Sequence, residues 1–250
     1  MIIIIFVLGL ILGSFAGALS YRMPRNVSIS RGRSYCPNCK SSIHWYDNIP
    51  VISYLLLRGQ CRHCHHKISP RYPIIEISTA LLFMAIYVFR VSIVSSLPWP
   101  VMLAIAFLLV VIFVIDWEHQ IIPDELVFIG ITLVFVSFVV TDFDKFFIHI
   151  FAGFTASLFL LTIHLLTKGR GMGLGDVKLA ILLGMILGPL GIYWMFASFI
   201  LGGFVGLILL LSKKAQLADR IAFGPFLIVG FLIALFPAPR FLEFCKMLMC

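Results

Sequence analysis

Charge is scarce in this chain: 12% of its residues are Asp, Glu, Lys or Arg, 61% are hydrophobic, and the mean hydropathy is +1.08. An ordinary soluble domain carries about 25% charged residues, so that class is excluded. Also missing is the alternating ten-residue pattern of a transmembrane barrel, which leaves helices as the way to pair backbone groups inside lipid. No internal repeat and no low-complexity tract is found. No Lys or Arg precedes the first apolar run, Met1 to Leu19. A secretory signal starts with basic residues, so this run is expected to remain as a helix with its N-terminus outside.

What is present is apolar length for about eight spans of roughly 20 residues each. After the first, spans are expected near 74–94, 97–115, 125–141, 146–167, 177–188, 190–211 and 221–237, with joints at Pro98 and Pro100, Ile122-Pro123-Asp124, Asp142 to Lys145, a glycine loop, Gly188-Pro189, and Ser212 to Arg220. The segment 177–188 is short for a span. One long polar segment, Arg22 to Tyr72, holds nine basic residues (Arg22, Arg25, Arg31, Arg33, Lys40, Arg58, Arg62, Lys67, Arg71) against the single acid Asp47. An excess of Lys and Arg marks cytoplasmic loops. With Lys168, Arg170, Lys178, Lys213, Lys214 and Arg220 this arrangement puts fifteen basic residues inside, and only Arg90, Lys145, Arg240 and Lys246 outside. The net charge of +8 is therefore read as topology, not as a nucleic-acid surface. Anionic lipid headgroups are the expected partner, at about 1 kcal/mol per nearby basic side chain. The expected fold is an all-α polytopic membrane protein. It divides into a first transmembrane helix at 1–21, a cytoplasmic loop at 22–72, a helical core at 73–240 and a tail at 241–250.

Cysteine is used sparingly and in a pattern. Cys36-Pro-Asn-Cys39 and Cys61-Arg-His-Cys64 form C-x2-C-x21-C-x2-C. Such turns aim two thiolates each at one ion, and four sulfur ligands suit structural Zn²⁺. Disulfides are the competing reading, but a cytosolic loop is held reducing. A loop too short for a large core has use for a metal staple. His63, His65 and His66 are read as solvated neighbours of the cluster, and Cys245 and Cys250 receive no role.

Acids are rarer still, eleven in all. Asp176 lies in Gly171-Met-Gly-Leu-Gly-Asp-Val-Lys178, between two apolar segments. A charge well inside a membrane helix costs roughly 2.5 to 3.5 kcal/mol on insertion scales, so an acid there marks a functional site. The plainer alternative is an Asp in a first helical turn, where the dipole favours an anion. Asp116 ends the apolar run from Val101 to Ile115 at the same expected face. Two such carboxylates suit an aspartic hydrolase. One, ionised, takes a proton from water, while the other, protonated, polarises a peptide carbonyl. Gly171, Gly173 and Gly175 permit positive φ and close backbone approach, which suits a peptide substrate along the loop. Asp124 is ambiguous between that substrate site and N-capping the span after Pro123. Lys178 is expected at lipid headgroups, Glu76 beside Arg71, and Glu118 and Glu125 toward water or the basic loop.

Taken in order, R-S-Y-C-P-N-C (33–39), W-Y-D-N-I-P (45–50), S-Y-L-L-L-R-G-Q-C-R-H-C (53–64), I-S-P-R-Y-P-I-I-E (68–76), I-D-W-E-H-Q-I-I-P-D (115–124), G-M-G-L-G-D-V-K (171–178) and F-G-P-F (223–226) resemble the type IV prepilin peptidases over nearly the whole chain. These are aspartic G-x-G-D membrane proteases. The resemblance implies that Asp116 and Asp176 are the catalytic pair. It further implies a bacterial inner-membrane enzyme that removes the short basic leader of a prepilin or pseudopilin after a glycine, at the cytoplasmic face. It also implies methylation of the new N-terminus from S-adenosylmethionine, involving the loop from Arg22 to Tyr72, although no glycine-rich nucleotide fingerprint is present. Two other readings were weighed. A metal-ion transporter wants acids and His scattered through mid-span positions, and a presenilin-like protease carries P-A-L where this chain has Phe223-Gly224-Pro225-Phe226.

Overall fold

A computed structural model describes residues 1–28, 34–89, 97–212 and 222–236. Expectations for Arg31, Arg33, Arg90, Lys213, Lys214, Arg220, Arg240, Lys246, Cys245, Cys250 and the tail 241–250 lie outside the described residues. The chain forms two compact units, Met1–Val88 and Phe89–Cys250.

In the first unit, helix α1 (Ile2–Arg22) and helix α3 (Arg71–Val88) flank the cysteine loop, which carries the one-turn helix α2 (Ile52–Leu56). A Cβ added at Gly9 would lie 2.5 Å from the Ala80 Cα, and one at Gly13 would lie 2.7 Å from the Glu76 Cα. The two backbones therefore touch. Lipid offers no hydrophobic drive for helix pairing, so close packing over small residues supplies the contact. Glu76 does not pair with Arg71 as expected. Its Oε2 accepts the Val51 N–H at 2.7 Å, while Arg71 donates to the Ser20 hydroxyl at 2.7 Å and the Gly17 carbonyl at 3.2 Å. The reason is spatial: α1 reaches the guanidinium before the carboxylate does.

The second unit holds α4 (Trp99–His119), α5 (Asp124–Thr141), α6 (Phe143–Leu166), α7 (Leu174–Leu187), α8 (Gly191–Leu211) and α9 (Gly224–Leu235). Helix α7 is its centre, buried from Val177 to Leu187 apart from Lys178 and Ile181. Gly184 admits α6 to van der Waals contact, its missing Cβ falling 2.8 Å from the Gly153 Cα. The chain breaks between α7 and α8 at Gly188, with φ of +57°, followed by Pro189. Proline has no N–H, so the carbonyl of Met185, four residues earlier, loses its helical donor. Nδ1 of buried His149 meets that carbonyl at 2.8 Å, and its ring lies 4.4 Å from Phe138. A carbonyl only accepts, which fixes the proton on Nδ1.

Among the described residues six segments are long and apolar enough to cross a membrane: Ile2–Arg25, Arg71–Val88, Trp99–His119, Asp124–Thr141, Phe143–Leu166 and Leu174–Leu211. The chain is an all-helical, multi-pass membrane protein, but the expected eight spans are not reached at that length. The segments 177–188 and 190–211 count as one apolar stretch that holds helices of 14 and 21 residues, and α9 has 12 residues. At about 1.5 Å per residue, helices as short as α7 and α9 fall short of a hydrocarbon core of about 30 Å.

Replacing His149 with Ala leaves a buried carbonyl bare and a void against Phe138. A loss of about 2 kcal/mol is expected, seen as a lowered unfolding temperature of the detergent-solubilised protein. An unchanged temperature would mean that Met185 has another donor.

Candidate active site and metal centre

Helix α4 runs three residues past Asp116, to His119, so the acid sits inside the last helical turn. It is 4% exposed. Gln120 closes the helix with φ of +56° and returns its N–H to the Asp116 carbonyl at 2.9 Å. Asp176 occupies the first turn of α7 and is 7% exposed. Its Oδ2 accepts the Gly173 N–H at 3.1 Å, capping the helix. The other oxygen of Asp176 and Oδ2 of Asp116 are both buried with no hydrogen-bond partner. The two groups are close enough for the charge of Asp116 to act on Asp176. One side chain touches both surroundings: Ile122 lies 2.9 Å from a Cβ built on Gly175 and 3.1 Å from one built on Gly224. The Gly224 amide faces the Asp116 carboxyl, and a Cβ at that glycine would collide with its Oδ2. The F-G-P-F motif thus starts α9 against the first acid.

The glycine loop is held from the end of α6. Nδ1 of His164 meets the Met172 carbonyl at 2.7 Å, and the Thr167 hydroxyl accepts the Gly171 N–H at 3.1 Å. None of Gly171, Gly173 and Gly175 takes positive φ; the left-handed residues of this turn are Lys168 and Gly169. Close approach does occur at all three, but by the protein's own side chains. Thr167 lies 3.0 Å from a Cβ built on Gly171, Asp176 lies 3.1 Å from one on Gly173, and Ile122 fills the space at Gly175. Gly171 and Gly173 remain exposed on their other side.

Asp124 is not the N-cap of α5. Pro123 holds that position, and both oxygens of Asp124 accept the Lys178 ammonium, at 2.8 and 2.7 Å. Lys178 is accordingly not turned toward headgroups. It ties the first turn of α5 to that of α7, two residues past Asp176. The pair is 38% and 49% exposed, so its worth is about 0 to 1 kcal/mol and it acts mainly as a positional link. Glu118 and Glu125 are exposed, Glu118 with the His119 ring 4.0 Å away.

Four cysteines, Cys36, Cys39, Cys61 and Cys64, come together with every sulfur within 4.8 Å of the others, and none is in a disulfide. The Cys36 and Cys64 sulfurs are 3.8 Å apart. Tetrahedral Zn–S bonds of about 2.3 Å put neighbouring sulfurs about 3.8 Å apart. Donor set and spacing both fit that ion. The two halves are built alike. Lys40 N–H returns to the Cys36 carbonyl and Cys36 N–H to that of Ser41, while His65 N–H returns to the Cys61 carbonyl and Cys61 N–H to that of His66. Lys40 and His65 both take positive φ to close these turns. Such a repeat of a few residues is shorter than the periods legible in the sequence. The Ser41 hydroxyl, 2.9 Å away, lowers the Cys39 thiol to about 6, and the amides of Cys64 and His63 lower Cys61. Thiolate is the ligating form. His63, His65 and His66 stand outside the sulfur cluster. Arg62, inside the second turn, forks onto Asp47 at 2.6 and 2.9 Å, holding the Asp47 carboxyl below its ordinary range.

Gly224, Ile122, His164 and Thr167 are the site residues that the sequence alone did not single out. Gly224 and Ile122 lie within the motifs 223–226 and 115–124; His164 and Thr167 carry no local signal, because their partners are fixed by packing.

Two buried acids on two helices of a multi-pass membrane protein are an arrangement that suits an acid-pair enzyme. The family model for the Bacterial Peptidase A24 N-terminal domain matches residues 7–90, and that for the Type IV leader peptidase family matches residues 102–211. A prepilin leader peptidase/N-methyltransferase of Vibrio cholerae is 32% identical, covering 94% of this chain and 96% of that protein. One of Bacillus subtilis is 31% identical over 94% and 93%. A type 4 prepilin-like proteins leader peptide-processing enzyme of Escherichia coli is 32% identical over 74% and 76%. No solved structure matches. The chain belongs to the type IV leader peptidase family and is an enzyme of that kind.

Two outcomes follow from this geometry. Gly224→Ala pushes the Asp116 carboxyl aside, and misplacement on the 1 Å scale costs about a hundredfold in rate. Leader-cleavage assays should show that loss with insertion intact; full activity would detach F-G-P-F from the site. Cys36→Ser should lower the zinc content of the purified protein, measured by elemental analysis under reducing conditions. Zinc absent from the unmodified protein would remove the metal assignment.

Proposed function

We propose that the protein cuts the short basic leader from type IV prepilins or pseudopilins after a glycine, with Asp116 and Asp176 as the catalytic pair, and then methylates the new N-terminus. The observation that carries the peptidase reading is the pair of buried carboxyls, each with one oxygen that no protein donor satisfies. A buried polar atom without a partner calls for an explanation, and water and a substrate carbonyl supply one. In the reaction the ionised member takes a proton from water as that water attacks the scissile carbonyl. The protonated member donates a hydrogen bond to the carbonyl oxygen and then passes its proton to the leaving amine. Like charges at short range keep the two from being ionised together, which sustains one acid and one base.

The exposed backbone of Gly171 and Gly173 lies beside the acids and suits an extended peptide, with Asp124 fixed by Lys178 at its border. The site faces the cytoplasm of the bacterial inner membrane on the strength of the basic loop and the positive-inside rule. Membrane lipids surround the apolar faces. Zn²⁺ at the four cysteines is structural, holding the loop between α1 and α3. Methylation rests on the names of the relatives from Vibrio cholerae and Bacillus subtilis. S-adenosylmethionine supplies the methyl group when bound.

Asp116→Asn and Asp176→Asn should each abolish cleavage of a prepilin while leaving insertion intact. The asparagine oxygen at 176 can still accept the Gly173 N–H. Full cleavage by either variant would sink the pair. Mass spectrometry of the product made with S-adenosylmethionine should show one added methyl group on the new N-terminus, and an unmodified terminus would leave a peptidase alone.

A further inference from the structure

One apolar side chain borders the surroundings of both acids: Ile122, in the turn between α4 and α5, where it is partly exposed. Its Cβ lies 2.9 Å from a Cβ built on Gly175, the residue before Asp176, and its Cδ1 lies 3.1 Å from one built on Gly224. A Cβ at Gly224 would also collide with Oδ2 of Asp116. The side chain therefore spans from the neighbourhood of one carboxyl to that of the other. It is also stiff. The proline after it biases its backbone to the extended region, and a β-branched side chain has a restricted χ1. Two residues on, both oxygens of Asp124 accept the Lys178 ammonium, which ties this turn to the helix that carries Asp176. A wall held in this way cannot retreat from an added methyl group, since carbon atoms need about 3.5 to 4.0 Å between them. The protein itself meets that limit with glycine at 175 and at 224.

We infer that Ile122 is the residue that confines cleavage to the position after a glycine. The inference deepens the leader-cleavage reading and rests on it. For water and the protonated acid to reach the scissile carbonyl, that carbonyl must lie between Asp116 and Asp176. Its α-carbon, about 1.5 Å away, then lies against the Ile122 wall. Glycine presents only hydrogen there, whereas alanine presents a methyl group that pushes the peptide away from the acids. Displacement of this kind slows the chemical step, so the loss falls on kcat more than on KM. Ile122 touches no reacting atom in this scheme; it determines specificity.

Cleavage by the detergent-solubilised full chain tests this with two substrates, a prepilin with glycine before the cut and the same prepilin with alanine there. The unmodified protein should prefer the first, a methyl-sized difference being worth about 10- to 200-fold in kcat/KM. Ile122→Ala removes the wall, and Ile122→Val removes only the Cδ1 that faces Gly224. Both should raise the alanine-to-glycine ratio of kcat/KM, by about tenfold for the Ala variant and by less for the Val variant, mainly through kcat. A loosened fold lowers both substrates together, so the ratio separates selectivity from stability. An unchanged ratio in variants that still cut the glycine prepilin overturns the inference and leaves the acid pair standing. Equal loss of both substrates in both variants also overturns it and makes Ile122 a packing residue. So does an unmodified protein that cuts the two prepilins equally well. Full cleavage by Asp116→Asn or Asp176→Asn, run alongside, marks failure of the catalytic-pair reading instead.

Discussion

Inside an apolar phase every bared backbone group must find a partner, and the rest of this structure depends on how its helix breaks meet that constraint. The unpaired groups at an interruption cost several kcal/mol each in hydrocarbon. His149 takes the Met185 carbonyl that Pro189 cannot serve, and His164 takes that of Met172. Thr167 accepts from Gly171 and Asp176 from Gly173. Polar side chains thus serve the places in the second unit where regular helix stops. The proposed site is one of those places, because only there does an apolar bundle expose backbone that a peptide can lie against.

Asp176 shows how one residue meets two demands. One oxygen caps α7, as any acid in a first helical turn does; the other is left bare. The structural and catalytic readings of this residue therefore do not compete. The cap fixes the rotamer, and the fixed rotamer aims the free oxygen. Asp116 is positioned differently, by close packing: the Gly224 amide faces its carboxyl, and that glycine leaves no room for a Cβ beside it. Preorganisation of this kind lets a buried acid act without paying for reorientation in the transition state.

What the sequence made legible was what is local. Apolar runs announce helices because each must pay for its backbone within itself, and the four cysteines stand out because metal ligands recur at fixed short spacings. The two acids are conspicuous against so apolar a background. The pairings were not legible, since they join distant positions: Asp124 with Lys178 is separated by 54 residues and Glu76 with Val51 by 25. Arg71 was a reasonable partner for Glu76 by sequence distance and lost to a backbone amide. The count of eight spans is not reached among the described residues by length alone, because α7 and α9 have only 14 and 12 residues. In the glycine loop the expected positive φ is not taken, and the atoms that approach Gly171, Gly173 and Gly175 are side-chain atoms of Thr167, Asp176 and Ile122.

The first unit carries a chain of contacts that gives the metal centre a purpose beyond holding the loop closed. Arg62 sits between Cys61 and Cys64, where a metal held by the cysteines would fix its backbone, and its guanidinium forks onto Asp47. Asp47 lies in the short turn Trp45–Asn48, whose Tyr46 carbonyl accepts the Ser53 hydroxyl at 2.8 Å, and the Ser53 oxygen accepts the Ile49 N–H at 3.0 Å. Between Ile49 and Ser53 stands Val51, strained, with its N–H on Glu76. A loop with so few buried apolar residues has little other means of sustaining a left-handed valine, since the hydrophobic effect scales with the area buried. Four metal–sulfur bonds at the cysteine cluster would supply what the missing core does not. On this view the two cysteine turns are the foundation of the loop, and the contacts that run from Arg62 through Asp47 and Ser53 to Val51 and Glu76 stand on them.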